Sequence, residues 1–201
     1  HLAGLESSMG RRLGDTADPL LVSVRSGSKF SMPGMMETIL DVGLNDATAA
    51  GLGQHGGERF ALDSYRRLIH MFGTTVFGID SRIFADALAH LKAGQKYTDD
   101  ISLEADDLRL LVATYQDIVH EQSGRPFPQD PREQLDLAIR AVFDSWRTPR
   151  APYYRRREGI DDNPGTAVNV QAMVFGSRGS SSGSGVCFTR DPAPGAGGSN
   201  A

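Results

Sequence analysis

Three groups of residues in this sequence are of types that can hold an anion. The first is the run 176–185, GSRGSSSGSG, which lies between two apolar stretches. Glycines let a backbone come close to a ligand and turn N–H groups toward negative charge, and serines add hydroxyl donors. Such a loop over a hairpin can cover phosphate groups. It is also the composition of a flexible linker, and composition alone favours the linker because no Walker-type spacing is present. The second is Arg25, at the end of an apolar run and followed by Ser26-Gly27. A guanidinium leaving a buried strand into a glycine loop can grip phosphate oxygens with its fork of donors; the plainer alternative is a surface arginine or a structural ion pair. The third is Arg66-Arg67 on an amphipathic stretch. Adjacent helix positions diverge by about 100°, so both cannot face one ligand squarely, and a solvated face is the simpler expectation. The histidines are scattered without HxxxH spacing, so no metal ligand is assigned.

These residues must be positioned by a mixed architecture. Leu20 to Arg25 (LLVSVR) reads as a buried strand, 26–36 (SGSKFSMPGMM) as a structured loop, and Thr38 to Leu44 as a second short strand. From about 45 to 147 the apolar period becomes helical. Phe60 to Phe77 turns Phe60, Tyr65, Leu68, Ile69, Phe72 and Val76 to one face. A helix is expected over 82–93, capped by Ser81 and stopped near Gly94, and another over about 103–121 with Leu108, Leu111, Tyr115, Ile118 and Val119 inward. Glu104, Asp106 and Asp107 at its start suit the positive end of the helix dipole. The best-specified helix is 131–147, with Asp130 as cap, Pro131 in the first turn and Glu133 able to close a capping box. Its stripe is Leu135, Ile139, Val142, Phe143 and Trp146; at that spacing Trp146 belongs to a core rather than to a ligand. After a turn at 159–165, Thr166 to Phe175 alternates Val168, Val170, Ala172 and Val174 on one face, and Val186 to Thr189 reads as the returning strand of a hairpin. The fold class is α+β: strand and loop, a helical block, then a hairpin.

The 201 residues suffice for one sizeable core or a few small subdomains sharing one. Hydrophobic residues at 39% and charged residues at 23% are ordinary for a globular chain. A net charge of -4 argues against general nucleic-acid binding, and the longest basic run, Arg155-Arg156-Arg157, is too short to alter that. The single cysteine, Cys187, excludes an internal disulfide framework and agrees with a reducing compartment. No stretch approaches the ~20 apolar residues of a membrane span, and no signal peptide is visible, so a cytoplasmic location is expected. The chain opens on His1 rather than Met, so a fragment is expected.

Five blocks sharpen this picture. LLVSVRSGSKFSMPGMMETILDVGLND (20–46), FALDSYRRLIHMF (60–72), AVFDSWRTPRA (141–151), GTAVNVQAMVFG (165–176) and GSGVCFTRDP (183–192) resemble, in order and spacing, the pyruvate, phosphate dikinases. The SMPGMM block distinguishes them from the related phosphoenolpyruvate synthases. The resemblance implies an ATP-grasp-like nucleotide-binding domain with a helical subdomain inserted: 1–44 plus 131–165 as a first subdomain, 45–130 helical, and 166–201 the truncated start of a second. It implies ATP, Mg²⁺ and inorganic phosphate as ligands. The reaction converts ATP, phosphate and pyruvate reversibly into AMP, pyrophosphate and phosphoenolpyruvate through a histidine on a swivelling domain. By the same resemblance Arg25 is the catalytic phosphate contact, Gly179, Gly183, Ser184 and Gly185 form the loop over the phosphates, Gln171, Met173 and Val174 lie beside the adenine, and Arg67 handles phosphate. Ser184 stands where relatives often carry Thr, which keeps the hydroxyl.

The sequence departs from that family at both ends. The upstream Gly/Lys loop, the downstream acidic and Gln residues that hold metal and nucleotide, the phosphohistidine segment and the C-terminal barrel are absent, and PAPGAGGSNA (192–201) replaces the usual continuation. No metal ligand is therefore expected within these residues, and the chain alone is not expected to turn over. A homodimeric complete protein is implied. The alternatives are a phosphoenolpyruvate synthase-like dikinase and a non-catalytic nucleotide-binding regulator.

Overall fold

The structure is a computed structural model and describes residues 1–176, 181–190 and 197–200. At its centre is a small antiparallel sheet of β1 (Val22–Ser26), β2 (Thr38–Val42) and β3 (Val168–Ala172), in the order β2-β1-β3. β1 is the middle strand, and Val22 and Val24 of β1 with Ile39 and Val42 of β2 are fully buried on the sheet's covered face. Apolar β-branched residues at alternate positions give such a strand one face to bury. Two helices cover that face: α3 (Glu58–Val76) packs on β2, and α6 (Pro131–Asp144) packs on both β1 and β2.

The remaining helices build outward from α3. α2 (Asp46–Gly56) begins in a capping box in which the Asn45 side chain accepts from the Thr48 amide at 2.7 Å and the Thr48 hydroxyl accepts from the Asn45 amide at 2.8 Å. α5 (Ala105–Ser123) lies along α3, and α4 (Ser81–Gln95) rests on α5. Leu68, Ile69 and Phe72 of α3 and Leu108, Leu111 and Tyr115 of α5 are fully buried, and together with the sheet residues they form one continuous apolar cluster. Burial of each such side chain contributes roughly 1.5–3 kcal/mol. Gly51 lets α2 come against the chain at Thr16, since a Cβ there would sit 2.0 Å from the Thr16 carbonyl oxygen.

A smaller core anchors the loop between β1 and β2. Met32 packs with Trp146 and Ala151, and Met35 and Met36 lie against them. Arg155 of α7 (Arg150–Glu158) is buried, stacks over the Trp146 ring at 3.9 Å, donates to the Trp146 carbonyl at 2.8 Å and pairs with Asp162 at 2.5 Å. The first arginine of the basic run is therefore part of the packing. Trp146 is a core residue, as its spacing suggests.

Several sequence expectations need correction. α1 (Leu2–Met9) and α7 carry too little apolar periodicity to be seen, and α7 has a strongly polar composition. α4 is capped by Asp80, whose carboxylate accepts from the Arg82 amide at 2.9 Å, not by Ser81; it also runs through Gly94 and ends where Lys96 takes a left-handed conformation. α6 is capped by Asp130 and opens on Pro131 as expected, but Glu133 reaches Arg125 at 3.6 Å and Phe143 is 48% exposed. β3 stops at Ala172, so Val174 turns outward. The returning strand, β4 (Phe188–Arg190), pairs with β5 (Gly197–Asn200) rather than with β3, so the expected hairpin does not form. A strand gains equally from any free edge in register, and composition does not say which edge it meets.

Candidate functional site

The outer end of the β1/β3 ladder carries the first group of candidate residues. Arg25 pairs in register with Asn169, and Ser23 with Gln171. Period-2 alternation puts Ser23, Arg25, Asn169 and Gln171 on the sheet face opposite Val22 and Val24. Arg25 is exposed and, among the described residues, has no ion-pair partner. With Ser26, Asn169, Val170 and Gln171 it lines a cavity of about 430 Å³. Gly27 closes over the neighbouring strand: its amide donates to the Ala167 carbonyl at 2.7 Å, and a Cβ at Gly27 would meet the Asn169 side chain at 3.0 Å.

The second group lies at the other end of β3. The Met173 amide donates to the Leu21 carbonyl at 2.9 Å, and the chain then runs off the ladder through Gly176. Met173, Val174, Phe175 and Gly176 form one wall of a second cavity, of about 410 Å³, whose other residues include Asp41, Asp63, Arg67, His70 and Met71. Leu21 and Arg25 are four residues apart on an extended strand, so the two groups stand about 13 Å apart along the sheet. The described part of the Gly/Ser loop comes back against this second group, because a Cβ at Gly176 would collide with Ser184 Oγ and Gly183. Gly183, Ser184 and Gly185 thus stand beside the Met173–Gly176 segment; Gly179 lies outside the described residues.

The arginine pair is resolved by one carboxylate. Asp63, one turn earlier on α3, takes Arg66 at 2.5 Å and Arg67 at 2.9 Å. Arg66 is 4% exposed and also approaches Asp100 at 3.7 Å, so it is a buried structural charge and not part of a solvated face. Burial acts to lower its pKa, but the Asp63 carboxylate outweighs it and the net direction is upward. Arg67 is the exposed member and opens into the cavity beside Met173 and Val174.

Asp41 has no counterpart among the sequence candidates. The β1–β2 register shifts between Val22 and Val24, and Asp41 takes a left-handed conformation with φ 60 at that irregularity. A bulge of this kind redirects a side chain, and Asp tolerates the conformation better than most residues. Asp41 is 7% exposed and lines the 410 Å³ cavity, and its buried Oδ1 has no hydrogen-bond partner among the described residues. An acceptor left so costs about 1–3 kcal/mol. Burial pushes the carboxyl up to about 7, with Arg67 opposing and Asp63 adding to the rise. His70, in the same cavity, is shifted down by burial and then by Arg66, and hydrogen-bonds Ser81 at 2.9 Å. Only the left-handed geometry reveals Asp41; Asp within an alternating strand gives no local signal.

A third cavity, of about 590 Å³, lies between α2, α3 and α5 and is largely apolar. On its wall the Tyr65 hydroxyl donates to Asp46 at 2.9 Å and accepts from Gln116 and Gln129, each at 3.0 Å. None of the sequence candidates lies there. Among the described residues no three His, Cys, Asp or Glu side chains gather as a metal site would require, and no helix is long and apolar enough to cross a membrane.

Arg25 and the Gly183–Gly185 segment therefore do not converge: the guanidinium stands on the open face at one end of the sheet, and the second cavity lies against α3 at the other. Comparison with known proteins gives the class. Residues 1–200 match the family model described as pyruvate phosphate dikinase, AMP/ATP-binding domain. The chain is 53% identical over 194 residues to pyruvate, phosphate dikinase 1, chloroplastic, of Oryza sativa subsp. japonica, covering 96% of this chain and 20% of that protein. It is 51% identical over 191 residues to pyruvate, phosphate dikinase 2 of Zea mays, covering 95% and 22%, and 50% identical over 194 residues to the Arabidopsis thaliana chloroplastic protein, covering 96% and 20%. The class is thus a nucleotide-binding α+β domain from a family of phosphotransferases. The chain belongs to the pyruvate phosphate dikinase AMP/ATP-binding domain family, and it spans about 20% of the length of the curated relatives it matches.

Proposed function

We propose that this chain holds ATP for an enzyme that makes AMP, pyrophosphate and phosphoenolpyruvate from ATP, phosphate and pyruvate, by way of a phosphohistidine on another domain. The fold is of ATP-grasp type: residues 1–44 and 131–165 form the first subdomain, 45–130 the inserted helical one, and 166–201 open the next. Arg25 is the catalytic phosphate contact. Its work is to neutralise charge on the transferring oxygens and to hold them in line, which is most of what phosphoryl transfer asks of a protein. Gln171, Met173 and Val174 border the base, Gly179, Gly183, Ser184 and Gly185 cover the phosphates, and Arg67 binds phosphate oxygen at the rim, although Arg67 and Gly183–Gly185 stand at the Met173 end of the sheet, away from Arg25. Mg²⁺ supplies further neutralisation when bound, through acidic groups outside these residues. The partners are ATP, inorganic phosphate and the swivelling domain, and the complete protein is a homodimer. We place it in the cytoplasm, although several relatives are named as chloroplastic.

One observation carries this proposal: Arg25, exposed and without an ion-pair partner among the described residues, shares a cavity with Gln171 in a chain of this family. Thermal unfolding with and without ATP tests it. A ligand at 100 times its Kd adds about 2.7 kcal/mol, which raises the Tm of a chain this size by several degrees. Arg25→Ala is expected to unfold at the same temperature without ATP and to lose most of the ATP-induced rise. An equal rise in both proteins would remove Arg25 from the site.

A further inference from the structure

Away from the sheet, the loop after α1 meets the start of α6 around a group of arginines. Arg11, Arg12 and Arg132 line a cavity of about 680 Å³ there, with Glu6, Ser7 and Leu13. The backbone fixes where each guanidinium starts. Gly10 ends α1 in a left-handed conformation, and the Arg11 amide donates to the Glu6 carbonyl at 3.3 Å. The Arg12 carbonyl accepts from the Leu20 amide at 2.9 Å and from the Asp15 amide at 3.2 Å, and Arg12 bridges to Pro19. Gly14 sets this loop against the first turn of α6, since a Cβ there would meet Pro131 Cγ at 3.2 Å, and Arg132 is the next residue. The charges are only partly answered. Arg11 bonds Asp18 at 2.8 Å through Nε, which leaves its Nη groups unengaged among the described residues. Arg132 reaches Glu6 at 3.5 Å, and that carboxylate also accepts from the Leu13 amide at 3.1 Å. Arg12 is exposed and has no ion pair or side-chain hydrogen bond among the described residues, although its charge acts on Asp15. A cation after the C-terminus of α1 is favoured by the helix dipole, but Arg132 lies in the first turn of α6, where the dipole opposes a cation. Fold stability therefore explains Arg11 and Arg12 better than it explains Arg132.

We propose that Arg11, Arg12 and Arg132 form a second anion site, which takes a small bisphosphate. Planar guanidinium forks match phosphate oxygens in pairs, and three of them face a single carboxylate here. The positive end of α6 adds to the same field. The cavity has the volume of a small-molecule site and is wider than one phosphate needs. Ser7 offers a hydroxyl donor, and Leu13 an apolar edge for the carbon frame between two phosphate groups. A concave site of this size favours a compact ligand over an extended acidic peptide. The site is separate from the Arg25 cavity. Pro19, which Arg12 bridges, precedes Arg25 by six residues, and at about 3.3 Å per residue of extended chain the two stand on the order of 20 Å apart. The proposal does not depend on the nucleotide function.

The test is a calorimetric titration of the 201-residue chain with fructose 1,6-bisphosphate and with fructose 6-phosphate, for wild type, Arg12→Ala, Arg132→Ala, Arg12→Lys and Arg25→Ala. Low salt is used, about 0.1 M, so that exposed charges are not fully screened. Wild type is expected to bind the bisphosphate at least about tenfold more tightly than the monophosphate, which loses one set of charge-assisted contacts. Arg12→Ala and Arg132→Ala should each weaken the bisphosphate by about tenfold. Arg12→Lys keeps the charge without the fork and should still weaken it, by about threefold. Arg12 and Arg132 are exposed, so circular dichroism of these variants should match wild type. Arg25→Ala should leave the bisphosphate affinity unchanged, whatever it does to ATP. No binding of the bisphosphate by wild type, equal affinity for the two sugars, or an affinity that follows Arg25 and not Arg12 overturns the site. A hexaglutamate peptide whose binding needs Arg12 and that the bisphosphate does not displace also overturns it, and assigns these arginines to an acidic protein partner.

Discussion

At the residue scale, charge and burial set what each candidate can do. Arg25 keeps an exposed guanidinium, whereas Arg66 has a carboxylate partner and is buried. The same residue type thus stays unpaired among the described residues at a strand end and joins the packing on α3. Asp41 makes the clearest pH prediction. Its folded-state carboxyl titrates at about 7 against 3.8 for an ordinary Asp, so the folded protein holds that proton more tightly than the unfolded chain. The stability contribution is full below about pH 4, is lost as pH rises to about 7, and is flat above. Asp41→Asn removes this slope. Between pH 4.5 and 8, urea unfolding should show the variant gaining on wild type by on the order of 3 kcal/mol; a constant difference would mean that Asp41 is ionised and solvated. Arg25 was legible in the sequence because strand, glycine and arginine fall in one short stretch. Asp41 was not, since a bulge and a positive φ arise from strand pairing that local spacing does not encode.

At the scale of elements, the helices with a complete apolar stripe were readable from periodicity, and their caps followed short-range chemistry. α3, α5 and α6 lie where Tyr65, Phe72, Leu111 and Leu135 require. α1 and α7 were not readable because other elements, not an apolar stripe, hold them: α7 is fixed by Arg155 over Trp146. Trp146→Ala should cost about 3–5 kcal/mol in chemical unfolding and loosen the 30–36 loop against proteases, because Met32 packs on that ring. Protease resistance equal to wild type would detach the loop from this core. Gln134 shows how a polar residue can join three segments. It is fully buried, accepts from the Gly43 amide at 2.9 Å, and donates to the Leu44 and Pro128 carbonyls, each at 2.8 Å. Gln134→Leu leaves three buried backbone groups without partners, and a loss of about 3 kcal/mol or more is expected. A smaller effect would mean that water replaces the amide.

At the scale of the whole molecule, the two candidate groups lie at opposite ends of a three-stranded sheet, Arg25 on its open face and the Asp41 cavity against α3 on the covered side. Fold class and family were legible across nearly the full chain. The pairing of the last strands was not, and neither was the division of the candidates into two clusters, since both depend on which edges meet. The chain covers about 20% of its relatives' length, and the proposed transfer runs through a histidine on another domain. Incubated with ATP, phosphate and pyruvate, the 201-residue chain should form no phosphoenolpyruvate; measurable product would place the missing chemistry within it. Hydrogen–deuterium exchange with and without ATP tests the nucleotide site most directly. Added ATP should protect 22–27, 168–176 and 183–185 while leaving the α2–α5 groove unchanged, whereas protection confined to that groove, or none at all, would contradict a nucleotide held by Arg25 and the 168–176 segment.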